Sequence, residues 1–255
     1  MADFLELRGR QRYLPVQFVV SGEQQGESLR VVCISDTHSQ HRRLSSLPRG
    51  DVLVHAGDLT LRGDESELVD FAHWYAEIEG FERKICIAGN HDLGLDVERC
   101  GALKLPSAKS AFLEALQKDN RCVYLEDSGV DVRSISFWGS PWQPYYCDWC
   151  FNVARGEPCR AKWRAIPSNV DVLLTHGPPL GRADLCESGA RAGCLDLLEE
   201  IQTRIRPKVN IFGHIHEAYK DLSSDGHTDF VNAASCDLNY DINHRPVVID
   251  IPFIK

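Results

Sequence analysis

Apolar and polar positions along the chain follow two rhythms. Short, mostly β-branched runs carry apolar residues at nearly every position, as strands buried on both faces do: LRVVCIS at 29–35, DVLVHA at 51–56, KICIA at 84–88, VDVLLT at 170–175 and KVNIF at 208–212. Between them the apolar residues open out to helical spacing. Leu68, Phe71, Ala72, Tyr75 and Ile78 form one stripe, and Asp64 with Glu67 three residues on predicts where that helix begins. SAKSAFLEALQKD at 107–119 predicts a second helix capped by Ser107, and CLDLLEEIQTRI at 194–205 a third that stops before Pro207. PVQFVV at 15–20 reads as an N-terminal strand and SGEQQGES as a polar link, so residues 1–28 are expected to hold a strand plus a linker. Strands alternating with helices predict an α/β architecture. With no internal repeat or interdomain linker in view, one domain over 1–255 is expected.

The strand runs stop in an unusual way. LRVVCIS ends in Asp36-Thr37-His38, DVLVHA in Gly57-Asp58, KICIA in Gly89-Asn90-His91-Asp92, VDVLLT in His176-Gly177-Pro178, and KVNIF in Gly213-His214-Ile215-His216. In α/β sheets ligands bind beyond the carboxyl ends of the strands, and glycine permits tight turns and close backbone approach. Taken singly, each ending is turn chemistry or a stray histidine. Repetition at five strand ends is not explained that way, and convergence on one place is expected. His41, His55, His73, His227 and His244 lack comparable partners and are read as structural or surface residues.

Composition removes some functions. A formal charge of -9 opposes broad binding to nucleic acid, which needs a basic face. The N-terminal residues carry charges throughout, with no apolar signal core, and no run approaches the ~20 apolar residues of a membrane span. The ten cysteines, two of them (Cys33 and Cys86) inside strand runs, therefore read as reduced thiols of a cytoplasmic protein.

The motifs DTH at 36–38, GD at 57–58, GNHD at 89–92, HGPP at 176–179 and GHIH at 213–216 resemble those of the calcineurin-like metallophosphoesterases. WGSPWQP at 138–144, FNVARGE at 151–157 and VNAASCDLNYDINHRPVVID at 231–250 are similar to the metallophosphoesterase-domain-containing subgroup. The resemblance spans roughly Leu29 to Pro252. It implies a four-layer α/β/β/α sandwich with two central mixed β-sheets and a dinuclear metal site at the C-terminal ends of the strands. It also implies that Asp36, His38 and His216 bind one metal, that Asn90, His176 and His214 bind the other, and that Asp58 bridges them. His91 and Asp92 would then belong to the chemistry: His91 protonates the departing oxygen and Asp92 holds its ring. Two divalent ions against two carboxylates leave a positive site inside an acidic protein, suited to a phosphate anion. Imidazole, carboxylate and amide donors suit Mn, Fe or Zn, with Mg as a further candidate.

The implied activity is phosphoester hydrolysis, with a phosphodiesterase acting on small diesters such as cyclic nucleotides as the leading reading. A phosphomonoesterase acting on a small metabolite is the alternative, and a non-catalytic metal-binding scaffold is the alternative of another class. Against a Ser/Thr phosphatase stands Leu61-Arg62-Gly63, where those phosphatases carry Asp-Arg-Gly. Arg62 is either a phosphate contact or a solvated loop arginine. The aromatic segment WGSPWQPYYCDWCFN offers Trp142 and Tyr145 as substrate contacts, or else packs onto the domain or a second subunit. Cys147, Cys150 and Cys159 supply only three ligands, too few for a structural zinc site. A small phosphoester, with neither nucleic acid nor membrane, is the expected partner.

Overall fold

The computed structural model describes residues 9, 11–24, 26–44, 46–104 and 106–253. Within the expected N-terminal strand and linker, residues 1–8, 10 and 25 lie outside the described residues. Parallel strands β1 (Ser28–Ile34), β2 (Val52–Ala56), β3 (Arg83–Ile87) and β4 (Cys122–Tyr124) form one sheet, flanked beyond β1 by antiparallel β13 (Val247–Pro252). The second sheet holds β5 (Ser128–Val132), β6 (Ile135–Ser140), β9 (Val172–Thr175), β10 (Val209–Phe212), β11 (Ser223–Ser224) and β12 (Asp229–Asn232). Its order is β11-β12-β10-β9-β6-β5, parallel in the middle and antiparallel at both edges. A short pair, β7 (Gln143–Pro144) and β8 (Asn152–Val153), stands apart.

The strand runs are apolar throughout because each faces two cores. Val31, Cys33, Val52, Val54, Ile85 and Ile87 point inward and meet Phe137, Val172, Leu174, Val209 and Ile211 of the other sheet. The alternate positions Val32, Ile34, Leu53 and Cys86 point outward, under helices α1 (Glu65–Glu77) and α3 (Lys109–Leu116). On the opposite side Leu173, Phe212 and Phe230 pack under α4 (Glu157–Arg164) and α5 (Leu195–Glu200), the latter running on as a π-type turn, Ile201–Ile205. This is the expected α/β/β/α sandwich of two mixed sheets. Among the described residues no helix is long and apolar enough to cross a membrane.

Local expectations hold with exceptions. α1 starts after Asp64, and the Glu67 carboxylate accepts from the Asp64 and Arg62 N–H groups at 3.4 and 2.9 Å. α3 begins one residue later than the Ser107 cap predicts. Ala108 takes the cap position, while the Ser107 hydroxyl accepts from Lys109 N at 3.3 Å. PVQFVV is not a regular strand: its one ladder contact among the described residues is an isolated bridge, Val19 to Ile249, with Leu14 just before it bridging Ser224. The reason is the Asp229 carboxylate, which accepts the Gln17 and Phe18 N–H groups at 2.6 and 2.7 Å and so competes with ladder pairing. Helix α2 (Val97–Leu103) and helix α4 were not foreseen. Their starts are nonetheless marked, by Asp96 accepting from Arg99 N at 3.0 Å and by Pro in the first turn of α4.

One buried charge ties the first two layers together. Lys84 is fully buried, and its Nζ donates to the Tyr75, Ala76 and Ile78 carbonyls at the end of α1, at 2.6, 2.7 and 2.8 Å, and to Asp119 Oδ2 at 2.8 Å. The cation satisfies carbonyls that a helix C-terminus leaves without partners. Replacing Lys84 by Met is expected to cost about 3 kcal/mol of unfolding free energy, as breaking a buried pair does. A urea midpoint that does not move would refute this role.

Candidate metal centre

Each site residue sits just past the carboxyl end of a strand. Asp36 and His38 follow β1, Asp58 follows β2, and Asn90 and His91 follow β3, three neighbours in one sheet. His176 follows β9, and His214 and His216 follow β10, neighbours in the facing sheet. Because the sheets pack face to face, their loops meet at one edge of the sandwich. The backbone bends sharply to bring them in. Asp36, His38, Asp58 and His214 have positive φ, at 52°, 42°, 53° and 67°, a conformation costing a non-glycine residue on the order of 1 kcal/mol. Glycines remove other obstacles. A Cβ on Gly57 would lie 2.5 Å from His176 Nδ1, and one on Gly213 would lie 1.9 Å from Asp36 Oδ2.

The side chains form two neighbouring nests: Asp36, His38 and His216 in one, and Asp58, His176 and His214 in the other. Asp58 is shared, with Oδ2 3.7 Å from His38 Nε2 and Oδ1 3.4 Å from His176 Nε2. Asn90 Oδ1 lies 2.9 Å from His176 Nε2. His176 Nδ1–H donates to the Ala56 carbonyl at 3.0 Å, and His216 Nδ1–H to the Asp237 carbonyl at 3.0 Å. Each ring therefore turns its Nε2 lone pair toward other acceptors: Asn90 and Asp58 oxygens for His176, and Asp36 Oδ1 at 3.4 Å and His38 Nε2 at 3.2 Å for His216. Lone pairs facing lone pairs in a buried place require a proton or a metal ion between them. A backbone carbonyl on the far nitrogen is the usual support of a metal-ligating histidine. The residues fit a pair of divalent cations.

The titration of the metal-free site carries the same message. Burial opposes charge on His176, but the Asp58 carboxylate, helped by Asp36 and the Ala56 carbonyl, outweighs it and lifts the ring to about 9. His216 is raised too, against burial, by Asp36. Burial holds His38 down to about 4 and His214 down to about 3. The site thus keeps protons where a metal would bring positive charge.

His91 stands beside the first nest, within reach of His38 and Asp58. Its Nδ1–H donates to the Leu61 carbonyl at 2.7 Å, which frees Nε2. The expected support from Asp92 is absent. Asp92 accepts instead from Leu59 N, Thr60 N, the Thr60 hydroxyl and Gly89 N, at 3.1, 2.9, 2.7 and 2.8 Å. Burial and the Asp58 charge lift this carboxyl to about 7 despite those donors. Asp92 therefore fastens the loop after β2 to the loop after β3, while Leu61 orients the imidazole.

The expected substrate contacts separate. Trp142 is turned into the packing: its Nε1–H donates to Asp127 at 2.7 Å, Phe151 meets it edge-on, and Lys162 lies 3.4 Å above its ring. Those contacts leave it structural. Tyr145 is 64% exposed and lines a cavity of about 70 Å³ with Tyr146, Pro178 and His214. Arg62 is exposed, and among the described residues its side chain makes no hydrogen bond or ion pair. Three aromatic residues not singled out as contacts crowd the site: Tyr146 against His214 at 5.4 Å, Trp149 on His91 at 4.2 Å, and Tyr240 against His38 at 4.7 Å. Tyr146 and Trp149 belong to the aromatic segment already noted, whereas Tyr240 lies in a polar loop with no periodic signal. All ten cysteines are free. Cys147 is exposed, while Cys150 is buried and donates its thiol to the Asn90 carbonyl at 3.0 Å, so the pair shares no metal site. His55 is buried between Thr37 and Phe71, outside both nests.

Comparison with known proteins defines the class. The profile of the calcineurin-like phosphoesterases matches residues 29–218, and the chain belongs to this family, whose members are metal-dependent phosphoester hydrolases with a dinuclear centre. It is 43% identical over 234 residues to the human "Metallophosphoesterase domain-containing protein 1", covering 88% of this chain and 71% of that one. It is 38% identical over 242 residues to "UPF0046 protein T07D4.2" of Caenorhabditis elegans, covering 89% of this chain and 61% of that one. A solved crystal structure shares the fold with a TM-score of 0.62 at 14% identity, over 88% of this chain and 95% of its own.

The elevated His176 has a measurable consequence. Its folded value exceeds the ordinary 6.5, so its contribution to the metal-free protein is full below 6.5 and is lost as pH rises through about 9. Metal must displace that proton. Affinity for Mn is expected to rise with pH up to about 9, with about one proton released near neutrality in calorimetry across two buffers. Equal release from wild type and His176→Gln would show that the proton resides elsewhere.

Proposed function

We propose that this chain is a dinuclear-metal-dependent phosphodiesterase acting on small phosphodiesters such as cyclic nucleotides. The observation that carries the reading is the pair of nests sharing Asp58, with an imidazole, His91, beside them and aromatic rings around them. Asp36, His38 and His216 would hold one ion, Asn90, His176 and His214 the other, and Asp58 would touch both. Nitrogen and oxygen donors without thiolate favour Mn, Fe or Zn over Ca. When bound, such ions supply Lewis-acid polarisation of the phosphoryl oxygens and a water acidic enough to attack at neutral pH.

The chain's own residues do the rest. His91, held through Nδ1 by Leu61, presents Nε2 to the leaving oxygen and gives it a proton as the ester bond opens. Tyr145, Tyr146 and Tyr240 offer flat surfaces to a base or aryl group. The arginine lining the cavity by His214, Arg155, is committed to the Gly193 and Ala192 carbonyls at 2.7 and 2.9 Å. That leaves no free guanidinium there for the extra charge of a monoester. One observation favours the monoesterase reading: Arg62, next to the Leu61 carbonyl, is exposed and without a side-chain partner among the described residues.

Two measurements test this. With Mn present, a diester aryl phosphate is expected to turn over faster than the matching monoester, and a monoester preference of tenfold or more reverses the assignment. His91→Ala should slow an unactivated diester by about 10²–10⁴-fold while keeping its metal; undiminished turnover removes His91 from the reaction.

A further inference from the structure

The indole of Trp149 lies nearly parallel to the imidazole of His91, with ring centroids 4.2 Å apart and planes at 24°. The other rings near His91 meet it differently: His38 edge-on at 4.6 Å and 78°, Tyr240 tilted at 6.1 Å. His91 is thus fixed at Nδ1 by Leu61 and over one face by Trp149, with Nε2 left open.

The stack is built in. Cys150 N and Sγ both reach the Asn90 carbonyl, at 3.3 and 3.0 Å, and Phe151 N donates to Asp96 Oδ2 at 2.8 Å. On the other side, Asn152 Nδ2 donates to the Tyr146, Cys147 and Trp149 carbonyls, each at 3.1 Å. Arg99 pairs with Asp148 at 3.1 Å. Every residue from 147 to 151 is therefore tied either to the His91 loop and the helix after it, or to the knot that carries Trp149.

We propose that Trp149 is a positioning residue for the acid step: its ring clamps the His91 imidazole so that Nε2 aims at the leaving oxygen. The proposal rests on reading His91 as the acid. In that step the bond from phosphorus to the leaving oxygen breaks, and its electron pair takes the Nε2 proton. The water oxygen forms the new bond to phosphorus, and the water releases the proton that His91 later regains. An indole suits the task because its broad flat face fixes the plane of the imidazole by stacking without offering a competing hydrogen bond.

The test uses aryl methyl phosphodiesters whose leaving phenol runs from 4-nitrophenol, which needs little protonation, to phenol, which needs it. Trp149→Ala is expected to slow the phenyl ester roughly tenfold, a part of the about 10²–10⁴-fold that a well-placed general acid contributes, while sparing the 4-nitrophenyl ester, KM and metal content. Trp149→Phe should restore most of the rate. In the metal-free protein, the His91 Cε1–H resonance, assigned by its loss in His91→Gln, should move downfield in Trp149→Ala as ring-current shielding disappears. Equal slowing of both esters, or an unmoved resonance, overturns the proposal. His91→Ala serves as the control. If it is slow on phenyl ester while Trp149→Ala is normal, only the role of Trp149 falls. If His91→Ala keeps full rate on both esters, the acid reading falls first and the clamp with it.

Discussion

The site turns on an unmet demand for positive charge. His176 and His216 each use one nitrogen on a main-chain carbonyl and aim the other at acceptors that also hold lone pairs. Buried as they are, these groups cannot satisfy one another. The metal-free protein answers with a proton on His176, and a divalent ion answers better because it attracts several donors at once. Backbone costs elsewhere follow from this. Four left-handed non-glycine residues are tolerated because the converging loops over-determine them.

The two sheets contribute unequally. The first supplies both carboxylates, the amide and the imidazoles of His38 and His91; the second supplies those of His176, His214 and His216. Two metal ions held between these side chains would fasten the sheets together at their carboxyl edge, where the apolar core between them runs out. Negative charge is concentrated on one side, as Asp36 and Asp58, and each lies under backbone donors. Asp36 accepts from His214 N at 3.0 and 3.1 Å, and Asp58 from His91 N at 2.9 Å. The backbone of the converging loops thus stabilises both carboxylates.

Much of this was legible from residue order. Strands buried on two faces announce themselves as unbroken apolar runs, and polar residues at their ends stand out for that reason. Asp64 with Glu67 marked α1 correctly, because a capping box is a local interaction. PVQFVV misled because its β-branched run says nothing of Asp229, more than two hundred residues away, which takes its N–H groups. Trp142 and Trp149 look alike in the sequence, yet one packs on Asp127 and Lys162 and the other on His91. Which way each indole turns is set by tertiary partners. Tyr240 lies in the stretch 231–250 that resembles the subgroup, but nothing there marked it for the site, since a tyrosine in a polar loop is ordinary until the loop folds back over His38.

Asp92 shows how a motif can be read correctly and its role misplaced. A carboxylate directly after His91 invites a charge pair along the chain. Adjacent residues on a tight turn, however, point their side chains apart, and Asp92 turns down into four donors under the β2 loop. The effect on His91 is real but travels through the backbone. Thr60 and Leu59, held by Asp92, fix the stretch that ends at the Leu61 carbonyl, and that carbonyl orients the imidazole. Gly89, held by the same carboxylate, fixes the start of the turn that carries Asn90. One buried acid therefore sets the spacing between the Asn90 amide and the His91 ring, a task that needs its hydrogen-bonding capacity and not its charge.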